Sequence, residues 1–252
     1  MRKNRLTIAR VSGVLWRRFA SAQAVLPDAN PEDLRIMSEV RPYTMTSPER
    51  LFALVNAVSY VVDNNIDGDI VECGVWRGGS MMAVIKRLQQ MKRGDRELYL
   101  YDTFAGMTAP TEKDTTKFGP KTADETFREM QVQSGVNRWC LATLEEVTQN
   151  LSTTGYDQKK IHFIKGPVDK TLPLHMPGGD IALLRLDTDF YDSTKHELEH
   201  LFPRLRSGGV LIVDDYGHWE GQRAAVDEYF KAHGIRMLLN RIDYSARIGV
   251  KM

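Results

Sequence analysis

The chain predicts an α/β protein built on a doubly wound, mostly parallel sheet, with an antiparallel strand pair near its C-terminus and a helical extension at its N-terminus. Three observations carry this. Short apolar runs alternate with segments of helical period through the middle of the sequence, the pattern of successive βαβ units. Two of the runs, 181–189 and 208–217, each finish in a pair of acids: Asp187 with Asp189, and Asp214 with Asp215. The segment between them, about 193–206, has the length that a parallel crossover helix needs.

The elements follow in order. From Met1 to Leu26 there are six basic residues and no acid, and Ile8, Val11, Leu15 and Phe19 recur at helical spacing, which predicts a basic amphipathic helix. It could touch an anionic membrane face, bind nucleic acid or act as a targeting segment. The favoured reading is a helix that packs on a subunit partner or over the site, so a homo-oligomer is expected. Pro27, Pro31 and Pro42 then break up a polar linker around a short acidic helix, and residues 1–42 are read apart from a main domain of 43–252. Ser47 as N-cap and Pro48 in the first turn open a helix over 47–65 whose apolar face is Leu51, Leu54, Val55 and Val58.

A strand over 68–72, a loop over 73–80, a helix over 81–92 and a strand over 97–102 come next. The stretch 108–122 is polar and punctuated by Pro and Gly, which predicts a mobile loop or lid. Helices over 124–134 and 144–154 precede a strand over 161–166 and the two acid-ended strands. A helix over 224–233, with no helical pattern before about Gln222, leads to an antiparallel pair at 236–241 and 246–250 on one sheet edge.

Bulk properties narrow the class. At 252 residues, 42% hydrophobic and 27% charged, the chain is an ordinary globular protein able to bury a sizeable core. A net charge of +1 gives no reason to expect nucleic acid as a partner. No apolar run reaches the roughly 20 residues of a membrane span, so no stable membrane insertion is expected. Cys73 and Cys140 are far apart and in no metal-ligand spacing, and a reduced, cytoplasmic location is the simplest reading.

If the acid-ended strands are neighbours, Asp187, Asp189, Asp214 and Asp215 crowd the C-terminal edge of the sheet, where open α/β folds place their ligands. Carboxylates that close repel unless protons or a cation neutralise them, and a hard divalent cation with oxygen ligands suits the set. Each acid could instead cap a following helix or turn, a weak reading for Asp214 and Asp215 because no helical pattern starts at once. Farther upstream, Glu72-x-Gly74-x-x-x-Gly78-Gly79-Ser80 lies between a strand and a helix, where glycine allows a sharp turn and close approach of a ligand. It is neither the dinucleotide fingerprint nor a Walker loop. Asp102 ends the next strand, where an acid can accept ribose hydroxyls, although it could also be a turn residue before Thr103-Phe104. Glu72 suits an amino group better than a pyrophosphate. Together they fit S-adenosylmethionine better than NAD.

Tyr43-Thr44-Met45, the run from Val71 to Gly79, the run from Asp102 to Gly106, the run from Leu186 to Tyr191, and Asp214-Asp215-Tyr216 resemble the macrocin O-methyltransferase family, whose members methylate sugar hydroxyls of macrolide and aminocoumarin antibiotics. The resemblance spans about residues 40–250, with the Glu-x-Gly-Val-Trp-Arg-Gly-Gly run its most specific part, and leaves the basic N-terminal segment outside. It implies a Rossmann-like O-methyltransferase dependent on S-adenosylmethionine and Mg²⁺, acting on a sugar or glycosylated small molecule. Asp187, Asp214 and Asp215 would be metal ligands and Asp189 the general base. Glu72, Gly74, Ser80 and Asp102 would meet the methyl donor, with Thr44 nearby and Asn150 and Ser152 on a cofactor-side segment.

His218 is a rival base or substrate ligand, although a solvent-exposed loop histidine is the favoured reading of it. Trp76 and Trp219 could stack on adenine or substrate, against core packing as the commoner fate. The competing functions are a methyltransferase with another acceptor, amine or hydroxylase-associated, and a non-catalytic binding relative. A phosphoryl-transfer enzyme would show a phosphate loop that is missing here.

Overall fold

The computed structural model of the protein describes residues 26–252, so the basic helix expected at the N-terminus lies outside the described residues. The described chain opens with α1 (Pro31–Val40), where the Asn30 side chain accepts the amides of Glu32 and Asp33 and the Asp33 side chain accepts the Asn30 amide in return. Its buried face, Ile36, Met37 and Val40, joins the same core as the helices that follow. Residues 26–42 therefore share a core with the chain beyond them. In α2 (Pro48–Asp63), Ser47 accepts the Arg50 amide as the N-cap.

After β1 (Asp69–Cys73) comes α3 (Gly79–Gln90), which starts earlier than the apolar period indicates and takes Ser80 into its first turn. Then follow β2 (Leu98–Asp102) and α4 (Ala123–Met130), the latter closed by a Thr122–Glu125 capping box. The helix expected over 124–134 stops at Met130, and the chain turns into a hairpin of β3 (Gln131–Gln133) and β4 (Val136–Asn137), with Gly135 at positive φ in the turn. Next are α5 (Leu144–Ser152), β5 (Ile161–Lys165), a short α6 (Val168–Thr171) and β6 (Ile181–Leu186). The crossover helix α7 (Tyr191–Leu201) ends sooner than expected, because Pro203 leads the chain into a 3₁₀ turn before β7 (Leu205–Val213). α8 (Glu220–Ala232), β8 (Asn240–Arg241) and β9 (Arg247–Val250) complete the chain, with only two residues of the strand expected over 236–241 in the ladder.

Among the described residues, seven strands form one sheet in the order β5-β2-β1-β6-β7-β9-β8. The first five are parallel, and β9 runs antiparallel to both of its neighbours. One face packs on α1, α2, α3 and α5 through residues such as Ile36, Leu54, Ile85 and Leu151, and the other on α6, α7 and α8 through Val168, Leu198 and Val226. Cover on both faces is why the strands read as continuous apolar runs. The acid-ended strands β6 and β7 are neighbours, Leu186 beside Val213. Chain direction across the sheet reverses between β1 and β6, which opens a crevice at their carboxyl ends.

Candidate active site

A cavity of about 330 Å³ lies in that crevice, lined by Gly74 after β1, Asp102 at the end of β2, Asp187 and Asp189 after β6, and Asp214 and Asp215 after β7. Gly74 makes their approach possible. Its φ is +84°, and a Cβ there would come within 2.1 Å of the Asp187 carbonyl oxygen. The glycine turn and the acid cluster are thus in backbone contact.

Beneath the acids lies Arg185, the one charge in the apolar run of β6, directly opposite Glu72 in the β1–β6 ladder. Its Nη1 is 2.7 Å from Glu72 Oε1 and 2.8 Å from Asp187 Oδ2, and its Nη2 is 2.7 Å from Asp214 Oδ1. Arg50 of α2 pairs with Asp214 and, through Nε at 2.9 Å, with Asp243. Burial works against the charge on Arg185, but Asp187, Asp214 and Glu72 outweigh it and raise its pKa. Asp214 is likewise penalised by burial, yet Arg185 and Arg50 hold it below the usual carboxylate range. Asp187 and Asp189 go the other way. Burial pushes both well up, and the carboxylates beside them add to it, Asp214 and Asp215 around Asp187 and Asp215 around Asp189. Donor oxygens of Asp187, Asp214 and Asp215 lie within 4.8 Å of one another. An all-carboxylate set with more negative groups than guanidinium partners fits a hard divalent cation.

Asp102 organises the other half of the cavity. Its Oδ2 accepts the amides of Val75 at 2.7 Å and Trp76 at 3.1 Å, and its Oδ1 accepts that of Phe104 at 2.8 Å. Burial raises its pKa against these bonds. The Thr103 hydroxyl stands 3.5 Å from Oδ1 but gives its one proton to the Gly106 carbonyl at 2.6 Å, so the three amides leave one of the carboxylate's roughly four acceptor positions on a residue that lines the cavity.

The remaining expected residues stand back from the cavity. Glu72 is buried, with Oε1 on Arg185 and Oε2 without a hydrogen-bond partner among the described residues. Thr44 is buried, and its hydroxyl accepts the Thr46 amide; the Tyr43–Thr44 backbone crosses so close to Gly79 that a Cβ there would meet Tyr43 O at 2.5 Å. Ser80 is buried in the first turn of α3. Asn150 donates to the Arg77 carbonyl at 2.9 Å, propping the glycine loop from behind. Ser152 is exposed at the end of α5 and bonds only its own helix, at Gln149 O.

Sequence reasoning missed Arg50, Arg185, Trp139 and Cys140. Arg185 had a signal, a lone charge inside a buried strand; the others had none. His218 is half-buried against the cavity rather than out in solvent, with Nδ1 3.2 Å from the Tyr244 hydroxyl and its ring stacked on Phe118. Burial lowers its pKa, with Asp215 opposing. Trp76 and Trp219 both line the cavity, Trp219 edge-on to Phe190 and beside Trp139. Non-glycine residues at positive φ gather here too: Trp76, Phe104, Cys140 and Asp189, whereas the other two among the described residues, Asn65 and Lys92, lie just past the ends of α2 and α3. Such backbone strain clusters where a site over-determines the chain.

The segment 108–122 lies over this region without regular structure. Asp114 anchors it: its Oδ1 accepts the Tyr191 amide at 2.7 Å, and its Oδ2 accepts the amide and hydroxyl of Thr111. Thr115 O accepts the Glu220 amide at 2.9 Å. The N-cap residues of α7 and α8, Phe190 and Trp219, offer no capping side chain. The 108–122 segment supplies both caps.

Sheet order, switch-point cavity, glycine turn and strand-end acids define a Rossmann-like methyltransferase. The chain belongs to the macrocin-O-methyltransferase family, whose sequence profile it matches over residues 6–248. The match therefore reaches back through most of the basic N-terminal segment, which the resemblance in sequence had left outside. Over 235 residues the chain is 34% identical to 8-demethyl-8-(2,3-dimethoxy-alpha-L-rhamnosyl)-tetracenomycin-C 4'-O-methyltransferase of Streptomyces olivaceus, covering 90% of this chain and 84% of that protein. It is 32% identical over 201 residues to mycinamicin III 3''-O-methyltransferase of Micromonospora griseorubida, covering 80% and 75%. The solved structure of the O-methyltransferase NovP superposes with a TM-score of 0.71 at 29% identity, covering 95% of this chain and 99% of that one.

Proposed function

We propose that the protein transfers the methyl group of S-adenosylmethionine to a hydroxyl of a sugar carried on a small molecule, with Mg²⁺ held by Asp187, Asp214 and Asp215. The observation that carries this is one cavity shared by Gly74 and Asp102 on one side and the acid cluster on the other. The names of the relatives support the acceptor class, since the two above are O-methyltransferases of a rhamnosylated tetracenomycin and of mycinamicin III.

S-adenosylmethionine supplies an electrophilic methyl on sulfur, and a divalent cation supplies Lewis-acid polarisation of an acceptor hydroxyl. The chain's own residues do the rest. Asp102, already holding three amides, offers its free acceptor position to the ribose, while Gly74 lets the donor approach the backbone. Arg185 holds Glu72, Asp187 and Asp214 in register, so that reacting groups meet in a fixed geometry. Asp189, on the cavity wall beside Asp187, Asp214 and Asp215, takes the hydroxyl proton. Trp139, Trp219 and the lid exclude water. The basic segment that precedes residue 26 serves as a cap or as an oligomer contact.

Purified protein with labelled methyl donor and a panel of glycosylated natural products and nucleotide sugars tests this. Label should reach a sugar oxygen, stop with EDTA and return with Mg²⁺. Asp215→Asn should lose metal-dependent turnover while calorimetry still detects the methyl donor. Asp189→Asn should lose turnover and keep the metal; a near wild-type rate would pass the base role to His218. Label on amines alone, or full turnover in EDTA, would overturn the reading.

A further inference from the structure

The last two turns of α7 carry His196-Glu197-Leu198-Glu199-His200, and none of these residues lines the cavity. His196 and His200 are one turn apart, with ring centroids 4.2 Å from each other. A donor atom from each of His196, Glu199 and His200 lies within 4.8 Å of the other two.

The chain itself orients both rings. His196 Nε2 is 3.0 Å from the Leu172 carbonyl, and His200 Nδ1 is 2.8 Å from the His196 carbonyl. A carbonyl only accepts, so each of these nitrogens carries the proton. In the neutral ring the lone pair is then on the opposite nitrogen, Nδ1 of His196 and Nε2 of His200. A backbone carbonyl behind the ring is how metal-bound histidines are commonly fixed in tautomer and direction. The group also sits toward the C-terminal end of α7, where unpaired carbonyls favour a cation.

Glu197 turns the other way. It is fully buried and accepts the Thr188 hydroxyl at 2.9 Å. The His-Glu-x-x-His order therefore makes no zinc hydrolase here, because the glutamate that would activate water is committed to the core.

We propose that His196, Glu199 and His200 form a second metal site, for a transition cation of the Zn²⁺ or Ni²⁺ type. Two imidazoles and one carboxylate suit such an ion and leave a fourth position to water, whereas the oxygen-only cluster by the cavity suits Mg²⁺.

The full chain, without an affinity tag and stripped with chelator, would be titrated calorimetrically with Zn²⁺ in excess Mg²⁺, which occupies oxygen sites and does not compete for imidazole. One equivalent of Zn²⁺ should bind. That equivalent should vanish in His200→Ala, weaken in His196→Ala and Glu199→Gln, and persist in Glu197→Gln and Asp215→Asn. Independently of any variant, ¹⁵N spectra of the histidine rings should show Zn²⁺ shifting Nδ1 of His196 and Nε2 of His200. No Zn²⁺ equivalent beyond Mg²⁺, one that survives loss of both histidines, or ring signals of His196 and His200 that do not move would overturn the proposal.

Discussion

Replacing Glu197 by glutamine should change how the protein's stability depends on pH. Glu197 Oε1 accepts the Thr188 hydroxyl, and Oε2 is buried with no hydrogen-bond partner among the described residues. Burial pushes its pKa from 4.5 up to about 8, with the Thr188 bond opposing. Because the folded value lies above the unfolded one, the folded protein keeps a proton that the unfolded chain has already lost between these two values. The stability this brings is complete below about pH 4.5 and is lost as pH rises through about 8. At about 1.4 kcal/mol per pH unit the separation is worth about 5 kcal/mol, of which about 4 falls between pH 5 and pH 9. Glutamine keeps the shape and the acceptor for Thr188 but cannot ionise. Urea unfolding of both proteins at about pH 5 and pH 9 gives the test. The difference between them cancels other titrating groups, including Glu72, which burial pushes up to about 7 despite Arg185. Glu197→Gln should gain about 4 kcal/mol on wild type between the two pH values; a gain under about 1 kcal/mol would refute a buried, protonated Glu197.

Asp114→Ala removes the shared anchor of the lid and the cap of α7. It should cost about 1–2 kcal/mol of stability and expose 108–122 to limited proteolysis, and a lid equally resistant in both proteins would count against the anchor. Gly74→Ala puts a Cβ 2.1 Å from Asp187 O at a left-handed φ. It should cost about 2 kcal/mol or more and abolish methyl transfer through displacement of Asp187, and an unshifted melting temperature would show that the turn relaxes freely.

Much of the architecture was legible without coordinates. Alternating apolar runs and a crossover of helical length made β6 and β7 parallel neighbours, and the acids at their ends could then only meet at one edge. Gly74 and Asp102 were legible for the same reason, since a strand end fixes where the next few residues lie. Helix limits were less so: α4 stops at Met130 and α7 at Leu201, where a hairpin and Pro203 override helical composition.

By itself, then, the sequence determined the fold class, the sheet edge that carries the chemistry and the residue types gathered there, because periodicity and strand-end position are local properties. Which of those side chains face the cavity was decided only by tertiary structure. Asn150 and Ser152 are two residues apart on α5, yet one props the glycine loop and the other faces solvent, since packing sets the rotation of a helix. Glu72 meets Arg185 across 113 residues and Arg50 meets Asp214 across 164, pairings that exist only once the strands are in register and α2 lies on the sheet. A buried charge takes whatever counter-charge the fold brings within reach, and no local pattern encodes that partner.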